Sequence, residues 1–325
     1  DTDSVTASIV LSHLKKKLGI NAVPAVLSGI NLETKYVLKY FGVKEPIFLN
    51  DVKIKVKDLN YTKNYSVTEQ DSINDAYRKM NEAGISKIPM VDDDKKLLGI
   101  ITMKDIAKEQ FNENIDLLNS TYENILEAIE GEELLRFDEE ITGKLTVAGY
   151  RSTTIISSVP LNENSILMVG DRHSVIEYAI SSGVKLLIVT GNHKIKDEHL
   201  KLAREKKVNI IVTPYSTLIA SRRINLANSV STINYIKNVL CISEYENVSD
   251  FMGIANKTRY SYYPVIDENE KCKGILRMSD VSYDNRKNVI LVDHNSYEQS
   301  AIGLEETNIV EIVDHHNIGS IGTNM

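Results

Sequence analysis

Ser86-Lys87-Ile88-Pro89-Met90-Val91-Asp92 returns later in the chain as Ser261-Tyr262-Tyr263-Pro264-Val265-Ile266-Asp267. Downstream, Gly99-Ile100-Ile101-Thr102-Met103-Lys104-Asp105 returns as Gly274-Ile275-Leu276-Arg277-Met278-Ser279-Asp280. The matched pairs all lie 175 positions apart (261 − 86, 274 − 99), and Asp75 and Asp250 keep the same offset upstream. A constant offset without gaps marks an internal duplication. In both copies the periodicity predicts an amphipathic helix (Ile73 to Ala83; Val248 to Ala255) followed by a short apolar strand. A polar turn (Asp92-Asp93-Asp94; Asp267 to Asn269) then leads to a second strand (Leu97–Thr102; Lys273–Arg277). A helix opening at Asp105 or Asp280 closes each copy.

This order of elements, with its Pro, Asp, Gly and Thr-x-x-Asp landmarks, resembles the cystathionine-β-synthase (CBS) domain. The resemblance implies a tandem pair that binds adenine nucleotides (AMP, ADP, ATP or diadenosine polyphosphates) and stacks into a homodimer. A hydroxyl and a carboxylate three residues apart at a strand-to-helix turn, as in Thr102 and Asp105, can grip ribose hydroxyls. They serve equally well as strand-end and cap residues; their duplication in register favours ligand binding. In the second copy Arg277 replaces the threonine while Asp280 stays, so Arg277 is expected to serve phosphate. Lys87, Pro89, Arg259 and Tyr262 complete the expected nucleotide-binding set.

Between the copies, helical patterns are expected from Asp116 to Glu130 and on to Glu139. Strands Ile166–Val169, Leu186–Val189 and Asn209–Val212 follow, alternating with helices Val175–Ser182 and Asp197–Lys206, the pattern of an α/β unit. Its Gly170-Asp171-Arg172 and Thr190-Gly191 turns resemble the DRTGG domain, found inserted between CBS copies in one enzyme family. No catalysis is assigned to it. In the outer segments a helix over residues 5–18 is expected to turn Val5, Ile9, Leu11, Leu14 and Leu18 inward. Strand Ala22–Leu27, helix Leu32–Tyr40 and strand Pro46–Leu49 come next; near the other end lie strand Asn288–Val292, helix Tyr297–Leu304 and strand Ile309–Val313. Apolar strands alternating with helices predict a parallel sheet covered on both faces. The expected fold class is therefore α/β: a doubly wound parallel-sheet domain (1–56 and 286–325), interrupted by CBS copies (57–115 and 236–285) and a DRTGG-like domain (116–235).

At 325 residues, two or three domains are expected. The net charge of −7 argues against nonspecific binding of nucleic acid or an anionic membrane. No apolar run reaches the length of a membrane helix. Two cysteines, Cys241 and Cys272, build no disulfide framework, and a reducing cytoplasm is expected. The chain opens on Asp1-Thr2-Asp3-Ser4, within a motif, and a fragment lacking residues at both ends is expected.

The chemistry gathers at strand ends. Asp1 and Asp3 precede the first helix, Asp293-His294-Asn295 follows one strand, and Asp314-His315-His316 follows another. In open parallel sheets ligands bind outside the carboxyl ends of strands, so these groups should converge. Crowded carboxylates need cations, and carboxylate with neutral imidazole suits Mn²⁺, Co²⁺ or Mg²⁺. A pair of such ions acidifies water and clamps a phosphoryl group.

Asp1-Thr2-Asp3-Ser4, Val292-Asp293-His294-Asn295 and Val313-Asp314-His315-His316 resemble, in order and spacing, the motifs of DHH-family phosphoesterases. With the CBS–DRTGG–CBS insertion, the resemblance is to the regulated family II inorganic pyrophosphatases. It implies a two-metal site for Mn²⁺ or Co²⁺, Mg²⁺ arriving with pyrophosphate, and control by adenine nucleotides. Asp1 would bind the first metal, Asp3 and His315 the second, and Asp293 both. His316 would face the substrate and assist the leaving phosphate, while His294 and Asp314 orient neighbours. The family's histidine ligand upstream of the first motif, a later aspartate ligand and the substrate-binding domain with its Arg and Lys clamps have no counterpart, and Ser296 stands where an acidic residue usually follows. An incomplete catalytic core, inactive alone, is expected. Two alternatives are a nucleotide-sensing module without activity, and a related phosphoesterase acting on polyphosphate or oligonucleotides.

Overall fold

The computed structural model describes residues 1–49, 51–109, 116–281, 286–317, 319 and 321–323. It divides into two compact units. One comprises Asp1–Tyr61, Ile242–Ser261 and Arg277–Met325; the other comprises Thr62–Cys241 and Tyr262–Leu276. The second CBS copy is thus shared out, its helix Val248–Thr258 in the first unit and its strand Tyr262–Ile266 in the second.

In the first unit, the helix Thr2–Lys17 starts earlier than expected because Asp1 caps it. Ser4 donates to the Asp1 carboxylate from both its amide (3.4 Å) and its hydroxyl (3.0 Å). Asp3 in the first turn and Lys15 to Lys17 in the last complement the helix dipole. Leu14 and Leu18, expected inward, are exposed instead. Val5 and Ser12 are the buried positions, because the chain doubles back and Ala22 supplies a carbonyl for the Ser12 hydroxyl at 2.8 Å. Ala25–Val26 and Ile47–Phe48 form a parallel pair across the helix Leu32–Tyr40. Asn288–Val292 and Asn308–Val313 form a second parallel pair.

No α-helix occupies residues 297–304. Two 3₁₀ turns, Tyr297–Gln299 and Leu304–Glu306, stand there instead. Ser300 bonds the carbonyl of Ser296, and Gly303 takes φ +86°, both favouring turns over a helix. Among the described residues the four strands form two separate pairs, not one doubly wound sheet. A cleft of about 1170 Å³, lined by strands of both pairs, has Asp1, Asp293, His294 and His316 in its wall.

In the second unit, the first CBS copy pairs strands Val67–Thr68, Lys87–Val91 and Leu97–Thr102. Its helix Ile73–Glu82 opens with a capping box between Ser72 and Asp75. Residues at equivalent positions of the two copies touch each other. Lys96 bridges Lys271, and the Lys87 ammonium lies 5.1 Å from the Tyr262 ring centroid. Each couple is 175 positions apart, the signature of a local two-fold axis. Gly274, at φ +143°, sits where a Cβ would meet the Thr62 carbonyl oxygen at 2.1 Å. The helix Met103–Glu109 begins before Asp105, which therefore lies inside its first turn. In the second copy Met278–Asp280 is a 3₁₀ turn, and the rest of the helix expected at Asp280 lies outside the described residues.

The sheet between the copies has six strands, in the order Leu117–Thr121, Glu140–Val147, Ser165–Val169, Leu186–Thr190, Asn209–Thr213 and Glu132–Leu135. The helical reading of residues 116–139 holds only for Tyr122–Ile129. Leu118 and Ser120 are buried while Leu117 and Asn119 are exposed, a period of two that fits the strand pairing with Glu140–Val147. Along the parallel strands, alternate residues feed opposite cores. Leu167, Val169, Leu187 and Val189 enter one; Ile166, Met168, Leu186 and Ile188 enter the other. The doubly covered parallel sheet expected of the outer segments is thus fully formed in the insert.

One buried amide, at the start of the inner strand Asn209–Thr213, ties this sheet to its neighbouring turns. Asn209 accepts from the amides of Phe137 (2.7 Å) and Asp138 (3.2 Å) and donates to the Asp138 carboxylate (2.8 Å) and the Lys185 carbonyl (2.7 Å). Asn209→Ala leaves these groups unpaired and is expected to lower stability by about 3 kcal/mol in denaturant titration. Asp75 gives a pH-dependent test. Burial pushes its carboxyl upward, but hydrogen bonds from Arg78 and Ser72 outweigh this and hold it below the usual range. A depressed carboxyl contributes stability above its unfolded pKa and loses it as pH falls through the folded value. The stability gap between wild type and Asp75→Asn should therefore be widest near neutrality and shrink below about pH 4.

Candidate metal centre

The three motifs meet in the first unit. Asp1 caps the helix Thr2–Lys17 and Asp3 lies in its first turn. Asp293 directly follows Asn288–Val292 and takes φ +63°, a left-handed conformation that Asp tolerates better than most residues. This kink turns the carboxylate back over the strand end, where only 12% of it is exposed. His315 and His316 follow Asn308–Val313.

Asp293 belongs to two donor groups. With Asp1 and Asp3 it presents three carboxylate oxygens within 4.8 Å of one another. With His315 and His316 it presents a carboxylate and two ring nitrogens within the same limit. His315 Nε2 lies 3.1 Å from Asp293 Oδ1, and His316 Nδ1 lies 4.0 Å from it. Three carboxylates this close repel unless cations or protons intervene. An oxygen-rich group sharing one member with a mixed oxygen and imidazole group is a donor set suited to two hard or borderline divalent ions.

The flanking contacts fix these donors. Asp314, whose side chain is only 6% exposed, accepts from the His315 amide (2.8 Å), the His316 amide (3.2 Å) and His316 Nδ1 (2.7 Å). Burial pushes the Asp314 carboxyl up, and these bonds overcome that and hold it low. The His316 imidazole is raised chiefly by its hydrogen bond to Asp314. His294 Nδ1 lies 2.9 Å from the Val292 carbonyl and stands outside both donor groups. Sequence reading placed His316 with the substrate alone; its position beside Asp293 makes it a donor-group member too. The Asn295 amide, which touches Asp314, was not singled out at all.

The expected nucleotide residues fall in both units. Thr102 and Asp105 bond each other, with Thr102 Oγ1 2.6 Å from Asp105 Oδ2 and the Asp105 amide donating back to Thr102 Oγ1 at 3.2 Å. They form a local cap, with a hydroxyl and a carboxylate grouped at the strand end. Tyr262 places its hydroxyl 3.2 Å from Ser86 Oγ beneath the Lys87 ammonium, and Pro89 is buried in its strand. In the first unit Arg277, expected for phosphate, holds the Asp280 carboxylate at 3.0 Å, and Arg259 ends the helix Val248–Thr258 in a left-handed conformation.

Family models match this chain as CBS domains over residues 56–112 and 230–283 and as a DRTGG domain over residues 124–227. The chain is homologous to metal-dependent inorganic pyrophosphatases. It is 34% identical over 331 aligned residues to the cobalt-dependent inorganic pyrophosphatase of Clostridium perfringens and 27% identical to a probable manganese-dependent inorganic pyrophosphatase of Thermotoga maritima. Each alignment takes in 99% of this chain and 60% of the relative, so the chain spans about three fifths of their length. Among solved structures it is similar to the CBS and DRTGG domains of the regulatory region of Clostridium perfringens pyrophosphatase, complexed with the activator diadenosine tetraphosphate. That match has 28% identity and a TM-score of 0.60, over 69% of this chain and all of the other. Among the described residues, no helix is long and apolar enough to cross a membrane.

Replacing Asp314 by Asn removes the charge that raises His316. In metal-free Asp314→Asn protein, His316 should titrate at lower pH than in wild type, and histidine NMR shifts across pH 5–8 measure this directly.

Proposed function

We propose that the chain is the metal-binding and nucleotide-sensing part of a family II, DHH-type inorganic pyrophosphatase, which hydrolyses pyrophosphate to two phosphates. The observation that carries this reading is the single Asp293 carboxylate shared by two donor groups. Its company is the second support: a DRTGG domain between CBS copies, in a chain similar over 99% of its length to pyrophosphatases. We assign residues 1–56 and 286–325 to the DHH domain. Residues 57–115 and 236–285 are the CBS copies and 116–235 the DRTGG domain. The protein works as a cytoplasmic homodimer.

In this reading Asp1 would hold one Mn²⁺ or Co²⁺, His315 the other and Asp293 both; Asp3, which the resemblance gives to the ion of His315, stands in the group of Asp1 and Asp293. When bound, the two ions supply Lewis acidity and neutralise phosphoryl charge, while Mg²⁺ accompanies the substrate. His316 gives Nδ1 to Asp314, which leaves Nε2 as the edge that meets substrate. The proton that the Asp314 contact favours can then pass to the leaving phosphate. Asp314 fixes the ring's orientation, and His294 braces the strand end through Val292.

Thr102 and Asp105 exchange their mutual bonds for ribose hydroxyls, Tyr262 offers a ring to adenine, and Lys87, Arg259 and Arg277 face phosphates. Nucleotide can alter catalysis only by binding two conformations unequally, so its effect on the metal centre is reciprocal. Activation of the Clostridium perfringens relative by diadenosine tetraphosphate suggests a diadenosine polyphosphate as one such ligand here.

Mn²⁺ titration by calorimetry, with and without AMP or diadenosine tetraphosphate, tests this. Asp293→Ala should weaken both Mn²⁺ sites more than tenfold, and nucleotide should shift Mn²⁺ affinity severalfold. Tyr262→Ala should weaken nucleotide binding about tenfold, the worth of one stacked base. Nucleotide binding that leaves Mn²⁺ affinity untouched would favour a sensing module instead. The two lysines lining the cleft, Lys15 and Lys287, are already paired with Glu311 and Asp58. Orthophosphate release by this chain alone should therefore be weak; rapid Mn²⁺-dependent release would show that these residues suffice to hold pyrophosphate.

A further inference from the structure

Asn295 sits between the two turns that carry the donors. Its Nδ2 donates to Asp314 Oδ2 at 2.6 Å and to the Asn317 carbonyl at 2.8 Å. Both amide hydrogens are therefore spent on the turn that follows Asn308–Val313, while the residue itself lies two positions beyond Asp293. The Asp314 carboxylate is divided between two tasks. Oδ1 takes His316 Nδ1 and the His315 and His316 amides, and Oδ2 takes Asn295. Gly319 closes the arrangement from the other side. A Cβ there would lie 2.1 Å from Asn295 Oδ1 and 2.4 Å from its carbonyl oxygen. Those approaches are too close for any side chain, so the backbone at 319 walls in the Asn295 amide.

We propose that Asn295 is a positioning residue that sets the spacing between Asp293 and the His315–His316 pair, by tying its own turn to Asp314 and Asn317. The inference rests on the two-metal reading above and adds a residue to it. The chemistry favours an amide at this position. A carboxylate would oppose Asp314, and a hydroxyl offers one hydrogen where two acceptors wait. An aliphatic side chain would leave Asp314 Oδ2 unpaired in a carboxylate that is almost wholly buried. The amide thus joins two metal-bearing turns without adding a charge to a site already crowded with carboxylates.

The test is Co²⁺ titration of the 325-residue chain, followed by calorimetry and by the visible absorption of bound Co²⁺, which reports ligand geometry. Asn295→Ala should weaken Co²⁺ binding by about ten- to a hundredfold and change the absorption spectrum, with far-UV circular dichroism unchanged. Gly319→Ala keeps Asn295 but pushes it off Asp314, and should do the same. In the double variant the second change should add little, because both act through one contact. If Asn295→Ala loses its folded spectrum, Gly319→Ala carries the test. Wild-type affinity and an unaltered Co²⁺ spectrum in the folded variants would overturn the role of Asn295 while leaving the metal centre standing. A wild-type chain that takes up no Co²⁺ would overturn the metal reading and this inference together.

Discussion

Everything at the centre turns on the Asp293 carboxylate. It lies within ligand reach of Asp1 and Asp3 on one side and of His315 and His316 on the other. Mutual repulsion makes such a cluster costly in the absence of compensating positive charge, and the fold nevertheless builds it at the ends of two strands and the start of one helix. The positive φ of Asp293 is part of the same construction, since an extended residue there would carry the carboxylate onward with the strand. Around it, the polar contacts are shared out economically. Asp1 caps a helix with the carboxylate that also joins the cluster, and Asp314 divides its two oxygens between the histidine turn and Asn295.

The duplicated segments show how a sequence repeat becomes a geometric one. Lys96 meets Lys271 and Lys87 meets Tyr262, each couple separated by the repeat offset, so a local two-fold passes between them. Symmetry of backbone does not carry over to chemistry. At one strand end a hydroxyl and carboxylate bond each other; at the other a guanidinium and carboxylate do.

The insert supplies stiffness. Its parallel strands send alternate side chains into two apolar cores, and Asn209 satisfies four partners at the start of an inner strand. Elements with this much burial move as blocks.

The repeat, its strands and turns, the central α/β alternation and the three acidic and histidine motifs could all be read from residue patterns alone. The reason is physical: apolar period, turn residues and strand-end polar clusters are local properties, written within a few residues of one another. Other features depended on partners far along the chain. Leu117–Thr121 is a strand because Glu140–Val147 lies beside it, and Ser12 rather than Leu14 faces inward because Ala22 offers a carbonyl. Residues 297–304 turn rather than coil because Gly303 and Ser300 satisfy the backbone locally. The nearness of Asp1 to Asp293, almost 300 residues later, and the grip of Asn295 on Asp314 are long-range facts. The sequence by itself named the chemical groups and their strand ends; only the tertiary structure decided which of them share one small space, since charge proximity is set by packing and not by spacing along the chain.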